Sequence, residues 1–385
     1  MKTVIIGIAL ALSLSASANS PYISRVYEYC PAPGQFVNEL PRYEQGDSYA
    51  DILAKASEQL CGDERPGIVS LGAYGGYVTF GFDHPVVNSR GGYDFKVYGN
   101  AFIRDSEAMG GSCEPGIIMV SADTNGNGLP DDEWFEIKGS EYDNPATVRD
   151  FRITYYKPAP DHTPVADPES AHITDANYIR WTSSGSPAEG WLQKNDSHKQ
   201  DYWPLWLDDE TLSFSGTRLP DNASFIESAH LYLLKAYGEG YADNMPNNET
   251  PGVKIDRAVK ADGTPASLSQ IDFVRVYTAL NQTCGWIGES STEVSGAEDL
   301  HPDMTSVEAI PEGFGTVTAS VRGRVLSIRS GLPQSAAAAV YGATGAKVLS
   351  LTVVPGENRI DCSGLAAGVY ILAAEGAPAV KVVVR

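Results

Sequence analysis

The densest group of oxygen donors in the chain is Asp123-Thr124-Asn125-Gly126-Asn127-Gly128-Leu129-Pro130-Asp131-Asp132-Glu133. A hard cation such as Ca²⁺ needs about six to eight oxygens at roughly 2.3–2.6 Å, and a loop with donors at alternate positions and a glycine at the tight turn can wrap one. Asp123, Asn125 and Asn127 take the first, third and fifth places, Gly128 the sixth, the Leu129 carbonyl the seventh and Asp131 the ninth. The twelfth place holds Trp134 where a helix-loop-helix site has a bidentate Glu, so closure of the shell falls to Asp132 or Glu133. Asn-Gly is also a strong hairpin signal, and a solvated turn is the competing reading. The expectation is a structural Ca²⁺ held by Asp123, Asn125, Asn127, Leu129, Asp131 and Glu133. Asp243 and Asn244 could form a second oxygen cluster, but no spacing rule supports one and they are read as a loop.

A second chemistry is aromatic. Trp181, Trp191, Trp203 and Trp206 crowd one segment rich in Pro, Gly and Ser that also holds Tyr178 and Tyr202. Flat rings stack on sugar C–H faces at small cost in rotamer entropy, so Trp181, Trp191, Trp203, Trp206 and Tyr202 are candidate ligand contacts. Burial of the same residues as a satellite core is the alternative.

Catalytic patterns are missing. No Gly-x-Ser-x-Gly elbow, His-Glu-x-x-His or phosphate-cradling glycine loop occurs, and the six histidines have no ligand spacing. The pairs Asp208/Asp209 and Glu298/Asp299 read as solvated surface in so acidic a chain. The sequence offers no catalytic residue to name, although an acid and a base could still meet from distant strands.

These groups must be positioned by strands. Residues 75–82, 93–98, 116–120, 134–137, 152–156, 230–234 and 271–277 are β-branched and aromatic runs between turn clusters, and only residues 47–60 carry a helical apolar face, through Tyr49, Ile52, Leu53, Ala56 and Leu60. Many strands without intervening helices predict an all-β chain, with a jelly-roll-like β-sandwich over residues 19–303. The late Asp272-Phe273-Val274-Arg275-Val276-Tyr277 strand is also similar to one that closes many carbohydrate-active jelly rolls, but the Glu-x-Asp-x-x-Glu catalytic strand of that glycosidase family is absent.

The 385 residues carry 28 Lys plus Arg against 49 Asp plus Glu, a net charge of -21. Such a field repels nucleic-acid phosphates and anionic membrane surfaces. Lys2, the apolar stretch from Val4 to Leu14 and Ala16-Ser17-Ala18 predict a signal peptide over residues 1–18. That stretch is too short to span a bilayer, so no transmembrane helix is expected. Export through the periplasm would allow disulfides, with Cys30, Cys61, Cys113 and Cys284 as candidates whose pairing spacing alone leaves open.

Charge reverses near the end. From Ile310 to Arg385 there are seven basic residues and four acidic ones, after a break at Pro311 and Gly313. Residues 304–315 therefore read as a linker and residues 316–385 as a small Ig-like β-sandwich. The run Val340-Tyr341, Gly345-Ala346-Lys347-Val348, Ile360-Asp361, Leu365-Ala366-Ala367-Gly368-Val369-Tyr370-Ile371 and Lys381-Val382-Val383 resembles the C-terminal sorting domain of the type IX secretion system of Bacteroidota. From Gly72 to His301 the chain also resembles uncharacterised surface proteins of that phylum, through its Gly-Tyr-Asp-Phe-Lys-Val-Tyr-Gly-Asn-Ala-Phe run, the Asp123 loop and Ser291-Thr292-Glu293-Val294-Ser295-Gly296-Ala297-Glu298-Asp299-Leu300-His301. The resemblance implies a secreted or outer-surface protein that meets type IX machinery through its tail. The functional expectation is non-catalytic capture of a glycan or another small extracellular ligand. A polysaccharide-degrading glycosidase or lyase and a structural adhesion protein are the alternatives.

Overall fold

The computed structural model describes residues 19–62, 67–89, 91–106, 108–304, 317–342, 346–374, 377 and 379–384. The signal-peptide reading and the linker beyond Met304 lie outside them. The chain divides into two compact units, Met1–Ser306 and Val307–Arg385, and its regular structure is nearly all β, of the β-sandwich class.

In the first unit the spine is a seven-stranded antiparallel sheet. Its centre is Phe273–Thr278, flanked by Tyr77–Gly81 on one side and Gly116–Ser121 on the other, with Arg25–Cys30 beyond the former. Phe273, Val274, Val276 and Tyr277 are all buried, as expected of a strand covered on both faces. Arg275 interrupts that run and is satisfied: its guanidinium reaches Glu28 at 2.6 Å and Thr79 at 2.9 Å and lies over the Tyr77 and Trp134 rings. The rest of the unit departs from two matched sheets. Two four-stranded sheets and three strand pairs complete it.

The one α-helix among the described residues, Tyr49–Leu60, starts at a capping box in which Asp51 N–H donates to the Ser48 hydroxyl and Ser48 N–H to the Asp51 carboxylate. Ile52, Ala56 and Leu60 point into the core. Burying each of the larger side chains contributes about 1.5–3 kcal/mol.

The aromatic-rich segment is a sheet in part, with Tyr178, Trp181 and Trp191 on strands and Tyr202, Trp203 and Trp206 in a loop. Val148–Tyr156, Ile173–Ser183, Glu189–Asn195 and Thr211–Arg218 pair antiparallel. Trp181 faces Gly190 across the ladder, and a Cβ on Gly190 would sit 2.4 Å from the indole.

The second unit pairs a three-stranded sheet with a four-stranded one around a shared core containing Leu326, Ile328, Val340, Val353, Leu372 and Val382.

Candidate functional site

Two cavities in the first unit bring polar and aromatic groups together, and Asn195 lines both. Asn195 is itself buried and fully engaged: its Nδ2 donates to Gln35 and its Oδ1 accepts the N–H groups of Ser197 and His198.

The larger cavity, about 730 Å³, lies beside the four-stranded sheet. Pro158, Pro160, Leu205 and Leu207 give it an apolar wall, and Tyr178 and Trp203 add rings. Its three carboxylates are all spoken for. Asp175 meets His162 Nε2 at 2.5 Å, Asp196 meets His172 at 3.0 Å, and Asp201 accepts from the Tyr178 hydroxyl. Its three lysines are not: among the described residues Lys157, Lys194 and Lys199 form no ion pair. The Lys194 ammonium rests 4.6 Å from the Tyr178 ring centroid. Trp203 is 2% exposed, and its indole N–H has no partner. A buried donor left unpaired costs about 1–3 kcal/mol, so a ligand acceptor there would recover it.

The aromatic candidates separate accordingly. Trp181, Tyr202 and Trp203 are buried with Tyr74, Phe151 and Tyr155, which corrects the expectation of an exposed aromatic face. Trp206 stacks near Tyr29 and Tyr43, and Trp191 alone of the five is exposed. Strand alternation sets this outcome, turning Trp181 inward and Trp191 outward. Of the five, only Trp203 lines the cavity.

The smaller cavity, about 440 Å³, has an acidic floor of Glu114, Glu289 and Glu293 and a rim that includes exposed Phe102 and Trp286. Just behind lies Asp243, and one oxygen each from Glu114, Asp243 and Glu293 fall within 4.8 Å of one another. Burial pushes all four carboxyl groups above their usual range, and mutual repulsion adds to this for Glu114 and Glu293. Glu289 reaches about 7 even though it accepts the Gln35 N–H at 2.5 Å. Its second oxygen has no partner.

Sequence reasoning passed over this cluster. In sequence Asp243 sits in a turn-like Gly-Tyr-Ala-Asp-Asn run, and Glu114, Glu289 and Glu293 have no local spacing. The usable signal was their apolar setting, as in Cys284-Gly285-Trp286-Ile287-Gly288-Glu289. The Glu298/Asp299 pair is not a solvated surface either, since Asp299 is buried against His84 at 2.7 Å. Asp208 and Asp209 are exposed as expected.

The Asp123 loop has internal order. Asp123 accepts the N–H groups of Gly126, Asn127 and Gly128, while Asn125 and Asn127 both donate to Asp131. Leu129 N–H donates to Asn127 Oδ1. Glu133 is exposed, whereas Asp132 keeps a buried oxygen with no partner and is the better group to close an oxygen shell.

Cys30, Cys61, Cys113 and Cys284 are all free thiols, so none of the four candidates is in a disulfide. Cys30 Sγ contacts the Tyr49 hydroxyl and Cys113 Sγ the Phe102 carbonyl. Burial pushes the Cys113 and Cys284 thiols up to about 12, which leaves them un-ionised and unreactive. Among the described residues no helix is long and apolar enough to cross a membrane.

No protein-family model matches the chain, and no curated protein is significantly similar to it. Among solved structures, a β-glucuronidase of Faecalibacterium prausnitzii is similar at 12% identity, over 73% of this chain and 47% of that one, with a TM-score of 0.18. The chain thus spans about half the length of that enzyme, and so loose a superposition carries no functional weight.

Proposed function

We propose that the chain is an extracellular, non-catalytic binding protein, secreted or held at the outer surface, that captures a glycan bearing an acidic group in the larger cavity. The observation that supports this reading is the pairing of an unpartnered Trp203 N–H with three lysines that no carboxylate neutralises. An apolar wall for the sugar face and a few convergent donors for a carboxylate or sulfate are what such a ligand needs. Ca²⁺ in the Asp123 loop, closed by Asp132, would stabilise the body in the calcium-rich extracellular medium. The basic-ended second unit serves as the sorting domain for type IX export.

An array carrying uronate, sulfated and neutral glycans tests the reading. Retention of acidic glycans that is lost on Trp203→Phe supports it, and indifference to the array refutes it. A second reading, a polysaccharide-degrading enzyme, has one observation in its favour. Glu289, held near 7, is a proton donor close to neutrality in an open cavity. Cleavage products in the same incubation, abolished by Glu289→Gln, would establish it.

A further inference from the structure

We propose that Glu114, Asp243 and Glu293 hold a hard divalent cation of the Ca²⁺ kind at the floor of the smaller cavity, a site separate from the Asp123 loop and independent of the ligand assigned to the larger cavity.

Three carboxylates withdrawn from water at this separation cannot all stay ionised without positive charge. Arg104 and His198 line the same cavity, but among the described residues neither bonds to the three carboxylates. Their hydrogen-bond partners are backbone N–H groups and serine hydroxyls, with no Lys, Arg or His among them in the described residues. Protons could serve instead, but the bonding pattern is that of anions. Asp243 Oδ1 accepts the N–H groups of Asn100 and Ala101 at 2.8 Å, and its Oδ2 accepts that of Glu293 at 3.0 Å. Donors occupying both oxygens favour the ionised carboxylate. Glu114 accepts the Ser291 N–H at 2.9 Å, and Glu293 accepts the Ser291 hydroxyl at 2.8 Å. The backbone next to Asp243 is kept clear for it, since a Cβ on Gly99 would lie 2.2 Å from Asp243 Oδ1.

A separate feature points outward from the triad. Glu289 is 4% exposed, lines the same cavity as Glu114 and Glu293, and has an oxygen with no partner. Such an acceptor calls for a donor, and a metal-bound water is one. The donor set is all oxygen, which suits Ca²⁺, Mg²⁺ or Mn²⁺ and not a thiolate- or imidazole-seeking metal. Glu114 and Glu293 line the cavity, which provides the entry route.

The test uses the full chain carrying Asp123→Ala, which removes the loop as a competing site. After chelation, CaCl₂ is titrated while bound metal is counted by native mass spectrometry and melting is followed by calorimetry. One bound Ca²⁺ and a melting temperature that climbs with Ca²⁺ are expected. In Asp123→Ala/Glu293→Gln the affinity should fall at least about tenfold, while the metal-free melt stays cooperative. If that variant does not fold, Glu114→Gln replaces it with the same expectation. A metal-free Asp123→Ala protein whose melting ignores Ca²⁺, Mg²⁺ and Mn²⁺ overturns the proposal and assigns the charge balance to protons. Unchanged Ca²⁺ affinity in the double variant overturns it too.

Discussion

The backbone N–H of Glu114 donates to the carbonyl of Asp243 at 2.9 Å, so two carboxylates far apart in the chain are tied through their own main chains. Thr292 adds a second tie by donating its hydroxyl to the Glu114 carbonyl, and Glu293 follows it directly. These two bonds bring the chain segments that carry Glu114, Asp243 and Glu293 together at the floor of the smaller cavity.

The Asp123 loop should respond to calcium on its own. In a Glu293→Gln background, adding Ca²⁺ to chelated protein should raise the melting temperature by several degrees, by mass action on the native state. Asp123→Ala in that background should remove the response. Isotope-dilution counting of bound calcium checks the stoichiometry, and an undiminished response in the double variant would discard the loop as a site.

Trp203→Phe deletes the indole N–H together with two ring carbons. Acidic-glycan affinity should drop about five- to tenfold, the worth of one hydrogen bond of about 1–1.5 kcal/mol. Lys199→Ala should weaken binding more at low salt than at high salt, because an exposed ammonium acts through a screened field. Calorimetric titration at two ionic strengths separates the effects, and a salt-independent loss would contradict the electrostatic role given to Lys199.

Glu136 should make the protein less stable as pH rises. Burial raises its pKa to about 7 against a hydrogen bond from Thr217. A carboxyl group raised in the folded state binds more protons there than in the unfolded chain, so stability declines as pH climbs from the unfolded value toward 7. Glu136→Gln should remove a penalty on the order of 2–3 kcal/mol above pH 7 and leave stability near pH 4 unchanged. Urea melts at the two pH values provide the comparison.

His84 acts in a different window. Burial opposes its charged form, but hydrogen bonds to Asp83 and Asp299 outweigh that and raise its pKa. Its contribution is present in full below the ordinary imidazole value and fades as pH rises through the folded one. His84→Asn should lower the melting temperature more at pH 5.5 than at pH 9, and an equal loss at both would show that only packing is involved.

Ser48→Ala removes half of the capping box on Tyr49–Leu60 and should destabilise the first unit by about 1 kcal/mol. A shift in urea midpoint without a change in slope would show that the helix end alone is affected.

Local pattern carried much of the architecture. The β-branched and aromatic run at Phe273-Val274-Arg275-Val276-Tyr277 specifies a strand wherever it sits, because its side chains suit a pleated, buried surface. The 3.6-residue spacing of Ile52, Ala56 and Leu60 marks the helix in the same way. The acidic balance is a sum over residues and needs no fold. The internal hydrogen bonds of the Asp123 turn join residues that are neighbours in sequence, so a turn there follows from local pattern alone.

Tertiary structure alone decided which rings and acids became a site. Trp181 and Trp203 look alike in sequence, yet the fold buried Trp181 on a paired strand and Trp203 in the loop after Glu189–Asn195, where its N–H is left unpaired beside a cavity. Glu114, Asp243 and Glu293 come from three distant segments, and no short-range pattern records their meeting. Secondary structure follows from interactions between near neighbours, which a sequence displays. The charge balance of a buried cluster depends on long-range contacts between strands, and these exist only once the chain has folded.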